Sequence, residues 1–256
     1  MSKLSNIRIG NITSSEIVDL TTNGRKEGSF GAPFYSYVED CKMERFFKMP
    51  VENDREVLAF SWGKLCELVV HNKLGLEYEM QSELTLRHPK HSEWLGSPDG
   101  QKKKNGKTEI VTDIKCPLTR KGVFNLIKHL YNFDGVNVTK KEKLNGDDII
   151  QKIRKDSKEG EKYYWQLVSN ACILDCEYAE LIVFIPYYEE LADIKLYNQS
   201  LDEPYWLVER CKDEELPFIY KESGIENINI IRFKVPQEDK DFLTSRVLSA
   251  IALINK

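Results

Sequence analysis

The sequence predicts an α/β fold, a mixed central sheet flanked by helices, on three observations. First, helical periodicity opens the chain, over 33–48 and 54–74, and strands with helices between them follow. Second, YAELIVFIPYY at 178–188 is too continuously apolar for a strand with one wet face and reads as central. Third, GSPDGQKKKNGKTEIVTDIKCP at 96–117 reads as two short strands joined by a polar, lysine-rich turn. No internal repeat and no linker of biased composition breaks the 256 residues. One domain is therefore expected over 1–256, with a motif-bearing core at about 8–186 and a strand and helix, 228–254, packed on it.

Composition narrows the class. An apolar share of 41% with 11% aromatics supports a packed core. No apolar run approaches a membrane span. The opening MSKLSNIRIG lacks the apolar stretch of a signal peptide, so a cytoplasmic location is expected. Cys41, Cys66, Cys116, Cys172, Cys176 and Cys211 form no C-x-x-C pair and are expected as reduced, mostly buried thiols rather than zinc or iron–sulfur ligands. A net charge of −4 argues against non-specific coating of nucleic acid and leaves room for a local basic patch. Three segments qualify as basic: Lys102–Lys104 with Lys107, Lys140–Lys143 and Lys152–Lys158. The last two are mixed in charge and also fit solvated helix faces.

In chain order, residues 8–22 predict an extended piece and then a helix, with Thr13 and Glu16 as a capping box and Asn23-Gly24 as the stop. Arg8 beside Ser14 and Ser15 in the first helical turn makes an anion pocket or an ordinary capped helix. Residues 33–48 predict a packing helix with Pro33 in its first turn. The segment 54–74 has the strongest helical pattern. Leu58, Trp62, Leu65 and Val69 lie on one stripe and Phe60, Gly63, Val70 and Leu74 on another, with Glu67 at the centre of the second. A helix apolar on both sides is sandwiched between layers, and a carboxylate there needs a cation partner. Glu67 is thus a buried salt bridge, a metal ligand or a group that orients water. Residues 78–88 alternate as a half-buried strand.

In 96–117 the alternation puts Glu109, Val111, Asp113 and Lys115 on one face and Ile110, Thr112, Ile114 and Cys116 on the other, expected to be the core side. Folding back at the turn brings Asp99 beside Asp113. Two carboxylates and an amine at one strand end suit a divalent cation acting on a phosphodiester, and equally a solvated surface pair. Residues 119–132 predict a helix burying Phe124, Ile127 and Leu130. The polar stretch 136–160 predicts a mobile excursion with a short helix at 147–155. In the helix at 161–176, Tyr163, Gln166 and Asn170 form a polar stripe, either satisfied core groups or an edge facing the site. Residues 189–227 predict irregular, acidic chain with a short strand near Trp206. A strand at 228–235 and an amphipathic helix at 238–254 close the sequence.

Five blocks in this order, RIGNITSSE at 8–16, LAFSWGKLCE at 58–67, GSPDG at 96–100, TDIKCP at 112–117 and YYWQ at 163–166, resemble the lambda-exonuclease-like (YqaJ-type) viral recombinase family of the PD-(D/E)XK nuclease fold. The resemblance covers about residues 8–186. It implies a 5′→3′ exonuclease on double-stranded DNA, using Mg²⁺ (Mn²⁺ as the alternative), with two ions. Asp99, Asp113 and the backbone carbonyl of Ile114 would hold the catalytic ion, and Glu67 a second ion or its water. Lys115 would orient and help deprotonate the attacking water or stabilise the phosphate. Gln166 and Tyr163 match the family's helix motif beside the site, and Arg8 and Ser15 its pocket for the 5′-phosphate.

The implied partners are DNA ends with a 5′-phosphate, a single-strand annealing protein and two further copies of the chain in a ring-shaped homotrimer. The implied setting is phage-type recombination in a bacterial cytoplasm. The chain departs from the pattern in having Asp113 where the family's namesake has Glu, in its lysine turn and in its acidic balance. Two other functions stay open on the residues: an endonuclease of restriction type on the same fold, and a non-catalytic DNA-end-binding recombination protein. The clustered carboxylates argue against the second, since DNA repels them.

Overall fold

A computed structural model describes residues 7–51, 57–80 and 84–256. The elements are β1 (Ile12–Thr13), α1 (Ala32–Phe47), α2 (Leu58–Lys73), β2 (Glu79–Met80), β3 (Leu86–Arg87), β4 (Trp94–Gly96), β5 (Gly100–Lys104) and β6 (Lys107–Lys115). There follow α3 (Arg120–Ile127), β7 (Tyr131–Phe133), β8 (Val138–Lys140), α4 (Gly146–Asp156), α5 (Lys158–Leu174) and β9 (Tyr178–Phe184). The chain closes with α6 (Leu191–Gln199), α7 (Trp206–Arg210), β10 (Ile228–Lys234) and α8 (Gln237–Ile254).

The main sheet runs β10-β9-β6-β5-β2. Only the β6–β9 pair is parallel, so the sheet is mixed as the sequence predicts. The parallel pair needs a long crossover, and α3, α4 and α5 supply it. A smaller sheet, β1-β4-β3, stands beside α5.

Both faces of β6 are buried. Val111 belongs to a core with Leu167, Val168 and Ala171 of α5 and Val247 of α8. Ile114 belongs to a second core with Trp62, Leu65 and Cys66 of α2 and Ile194 of α6. The expectation of one core face on this strand is therefore corrected. A strand second from neither edge, with helices on both sides, has no wet face.

Other expectations also change. Residues 17–21 form a short 3-10 turn, and Thr13 and Glu16 make no capping box: Glu16 gives no side-chain cap, and Thr13 Oγ1 instead meets Tyr37 and Ser15. Helix α2 has one buried arc, Ser61, Trp62, Leu65, Cys66, Val69 and Val70, while Phe60 is exposed. The part of that predicted helix at 54–56 lies outside the described residues, as do Ser82 and Glu83 of the predicted 78–88 strand. Around the latter gap the chain pairs with two different sheets. In α3 it is Val123, Leu126 and Ile127 that are buried, and Phe124 is exposed. The excursion at 136–160 carries α4, anchored by Ile149, Ile150 and Ile153. Residues 189–227 hold α6 and α7, and Trp206 opens a helix rather than a strand. All six cysteines are free thiols.

Lys102–Lys104 are strand, not turn. The turn is Asn105-Gly106, both with left-handed φ (53° and 77°), between the paired Lys104 and Lys107. That is the two-residue geometry whose twist matches the strands, and Asn-Gly is the dipeptide that adopts it with least strain.

Candidate active site

The hairpin fixes the two aspartates. Gly100 pairs with Thr112 at the end of the ladder, and just beyond it on either strand the side chains of Asp99 and Asp113 interact. The Asp99 amide donates to the Thr112 carbonyl at 3.1 Å, and the Ile114 amide donates to Asp99 Oδ2 at 2.7 Å. Asp99 is thus clamped through both backbone and side chain. Gly96, three residues earlier, has to be glycine: a Cβ there would lie 2.3 Å from Asn170 Oδ1 and 2.7 Å from Ser14 Oγ.

Asp113 is fully buried. Gln166 Nε2, from α5, donates to its Oδ1 at 3.0 Å. Its Oδ2 has the Lys115 ammonium 2.6 Å away as its partner. The Tyr163 ring faces Lys115, with the ammonium 4.9 Å from its centroid. Side chains i and i+3 of α5 therefore approach Lys115 and Asp113, so the polar stripe of that helix does face the site. Asn170, the third member, is buried with neither amide atom hydrogen-bonded to protein.

Burial pushes the Asp99 carboxyl up to about 6, with Glu67 adding to the shift and Lys115 opposing it. Burial likewise pushes Asp113 up to about 7, against the pull of Lys115, and the Asp99 charge raises it further. Burial alone would lower the Lys115 pKa, but Asp113 and Asp99 outweigh it and hold the ammonium charged. Glu67 is raised by burial and by Asp113, with Lys64 and Lys115 opposing. Its Oε2 lies 2.7 Å from Lys64 Nζ, one helical turn earlier.

These residues fit a hard divalent cation. The donors are all carboxylate oxygens, those of Asp99 and Asp113 are buried, and the like charges raise one another's proton affinity. Among the described residues no three His, Cys, Asp or Glu side chains close into a ready-made cage. Asp99 and Asp113 carry the fit, while Glu67 is held by Lys64. Sequence reasoning passed over Lys64; the signal was its i, i+3 spacing from Glu67.

Arg8 and Ser15 come together, with Arg8 Nη2 donating to Ser15 Oγ at 2.8 Å. The five-residue 3-10 turn offers no helix end for an anion, so a phosphate there would rest on Arg8 and the hydroxyls alone. The segment is tied to α5 through a buried network. Ser14 Oγ and Ser169 Oγ are 2.7 Å apart, and Trp94 Nε1 donates to Ser169 Oγ at 2.8 Å. Ser169 lies one turn beyond Gln166, so the two candidate regions share one rigid helix.

No protein-family profile matches the chain, and no curated protein sequence matches it. Solved structures do. The chain is similar to an alkaline exonuclease, LHK-Exo, from Laribacter hongkongensis, with a TM-score of 0.59 at 12% identity over 100% of this chain and 93% of that one. The same exonuclease in complex with dAMP gives a TM-score of 0.59 at 13% identity, again over 100% and 93%. A phage-related exonuclease from Haemophilus somnus 129PT gives 0.57 at 14% identity, over 96% of this chain and 93% of that one. The resemblance carried by the five sequence blocks is thereby borne out in the fold: this chain has the lambda-exonuclease-like fold, of the PD-(D/E)XK type.

Proposed function

We propose that this chain is a Mg²⁺-dependent exonuclease that digests double-stranded DNA from the 5′ end and leaves 3′ single-stranded overhangs for recombination. The observation that carries the reading is the buried Asp113, held by Gln166, ion-paired to Lys115 and set beside Asp99, on the fold of known exonucleases. Asp99, Asp113 and the Ile114 carbonyl would hold the ion, with Mn²⁺ as an alternative, and Glu67 a second ion or its water. When bound, the cation lowers the pKa of water and offsets charge on the phosphate. Lys115 keeps a proton and presents positive charge to the phosphate oxygens as they gain negative charge. Gln166 fixes the Asp113 carboxylate, and Tyr163 walls the lysine. Arg8 and Ser15 would hold the 5′-phosphate and so favour attack at a chain end.

On this reading the partners are duplex ends, a single-strand annealing protein and further copies of the chain in a trimer, acting in the cytoplasm of a bacterial host. Among the described residues no helix is long and apolar enough to cross a membrane.

The test is digestion of end-labelled linear duplex, with 5′-phosphate or 5′-hydroxyl ends, beside closed circular duplex, in Mg²⁺ or EDTA. The reading expects loss of label from 5′-phosphorylated linear DNA in Mg²⁺ only. Cutting of closed circles would make the chain an endonuclease. Binding of ends without cleavage would make it a scaffold.

A further inference from the structure

Glu67 is spoken for in a way the other carboxylates are not. Asp99 takes a backbone amide and Asp113 a glutamine, both from rigid elements. Glu67 takes the ammonium of Lys64, on a flexible stem whose side chain is 37% exposed, against 15% for Glu67. Lys115 has no such freedom. It is 18% exposed, lies on a central strand and is backed by Tyr163. The two lysines therefore differ in kind. One is a fixed charge, and the other is a monodentate partner that solvent can take back by rotation of its side chain alone, with no backbone movement.

We propose that Lys64 is the resting counter-ion of Glu67 and competes with a divalent cation for that carboxylate. This rests on the reading of Asp99 and Asp113 as an ion site. With no cation present, three carboxylates face two ammonium groups, and Lys64 covers the most solvent-accessible of the three. Cation uptake at the aspartates supplies the charge that Lys64 had been supplying, and Glu67 is released to the ion or to its water. Lys64 then swings outward on the solvent side of the site, where a nucleic-acid phosphate would meet it. The device keeps Glu67 ionised and pointed while the site waits, at the expense of ion affinity. A static clamp, with Lys64 simply holding Glu67 in its working position, predicts the opposite sign, because its removal would weaken ion binding.

The experiment is calorimetric titration of Mg²⁺ into the full chain without DNA, for wild type, Lys64→Met, Glu67→Gln, the double variant and Asp113→Asn. Thermal melts check that each folds, and Lys64→Gln stands in if Lys64→Met does not. The expected result is a roughly fivefold or greater tightening in Lys64→Met, at the low end for coupled binding events. The double variant should bind no more tightly than Glu67→Gln alone. Equal tightening in both backgrounds would mean that Lys64 acts only through its long-range field, and weaker binding in Lys64→Met would mean a clamp; either overturns the proposal. If wild type takes up no Mg²⁺, or Asp113→Asn takes it up as well as wild type does, the ion site itself is wrong and the proposal falls with it. The first two failures leave the ion site standing, so the two causes are told apart.

Discussion

Gln166 on α5 and Asp113 on β6 are joined by one hydrogen bond of 3.0 Å, which fixes one oxygen of the buried Asp113 carboxylate while the Lys115 ammonium meets the other. A carboxylate with one oxygen fixed and the other facing an ammonium has a defined orientation. Gln166→Leu removes the donor and keeps the volume. Groups that orient an ion's ligands are typically worth about 10–100-fold in affinity or activity. The expected outcome is a loss of that order in exonuclease rate at a temperature where both proteins are folded, with stability lower by about 1–3 kcal/mol, the cost of an unmade buried hydrogen bond, measured by end-label release and a thermal scan.

The raised carboxyl groups make a prediction about pH. Asp99 at about 6 and Asp113 at about 7 both lie above the ordinary value of 3.8. Such groups contribute stability that is fully present below the unfolded pKa and is lost as pH rises through the folded one. Metal-free protein should therefore lose stability on their account as pH rises from about 4 to about 7. His71 works the other way. Burial first, then Lys64, depress it from 6.5 to about 4, so its contribution is present above pH 6.5 and is lost as pH falls from there to about 4. Asp113→Asn isolates the first effect: its melting temperature should fall less steeply with rising pH than that of wild type. Mg²⁺ added at the alkaline end should raise the melting temperature of wild type and leave that of the variant unchanged.

Arg8 tests end recognition apart from chemistry. Its guanidinium is exposed, and its hydrogen-bond partner is the Ser15 hydroxyl. A charge-assisted contact to phosphate is worth about 1.5–3 kcal/mol, or roughly 10–100-fold. Arg8→Ala should erase the preference for 5′-phosphorylated over 5′-hydroxyl ends by that factor and leave Mg²⁺ affinity unchanged. An unaltered preference, read from paired digestions, would remove Arg8 from the site.

Much of this was legible in the sequence because it is local. The hairpin, the facing of Asp99 and Asp113 and the polar stripe of α5 follow from periods of 2 and 3.6 and from Asn105-Gly106. What was not legible depends on distant partners. Phe60 and Phe124 read as core from spacing, but among the described residues no element covers them. Helices α6 and α7 are too short to carry a period, and α6 is held by packing of Leu191 and Ile194 on the α2 core rather than by propensity. The lysines of β5 read as turn or DNA contact. Their partners lie elsewhere on the chain: Lys102 reaches Glu77 and Glu180, and Lys103 reaches Glu79.

That last correction carries a prediction of its own. Glu180 is fully buried in β9, directly opposite Arg232 in β10. Its Oε1 accepts from Arg232 Nε at 2.7 Å and has Lys102 Nζ at 3.6 Å, while Tyr78 donates to Oε2 at 3.0 Å. Register pairs Glu180 with Thr112, and Asp113 with Leu181, so Glu180 and Asp113 point to opposite faces of the sheet. Breaking a buried ion pair from one side costs about 3–5 kcal/mol, because the remaining charge stays uncompensated. Here Arg232 is 52% exposed and can hydrate, whereas Lys102, at 15%, cannot without moving. The loss for Glu180→Ala therefore belongs at the low end, about 3 kcal/mol, read as a shift of the urea midpoint. Because the sheet separates the two carboxylates, the same variant should bind Mg²⁺ as wild type does at a temperature where both are folded. A variant that lost ion binding while keeping its stability would assign Glu180 to the active site and Lys102 with it.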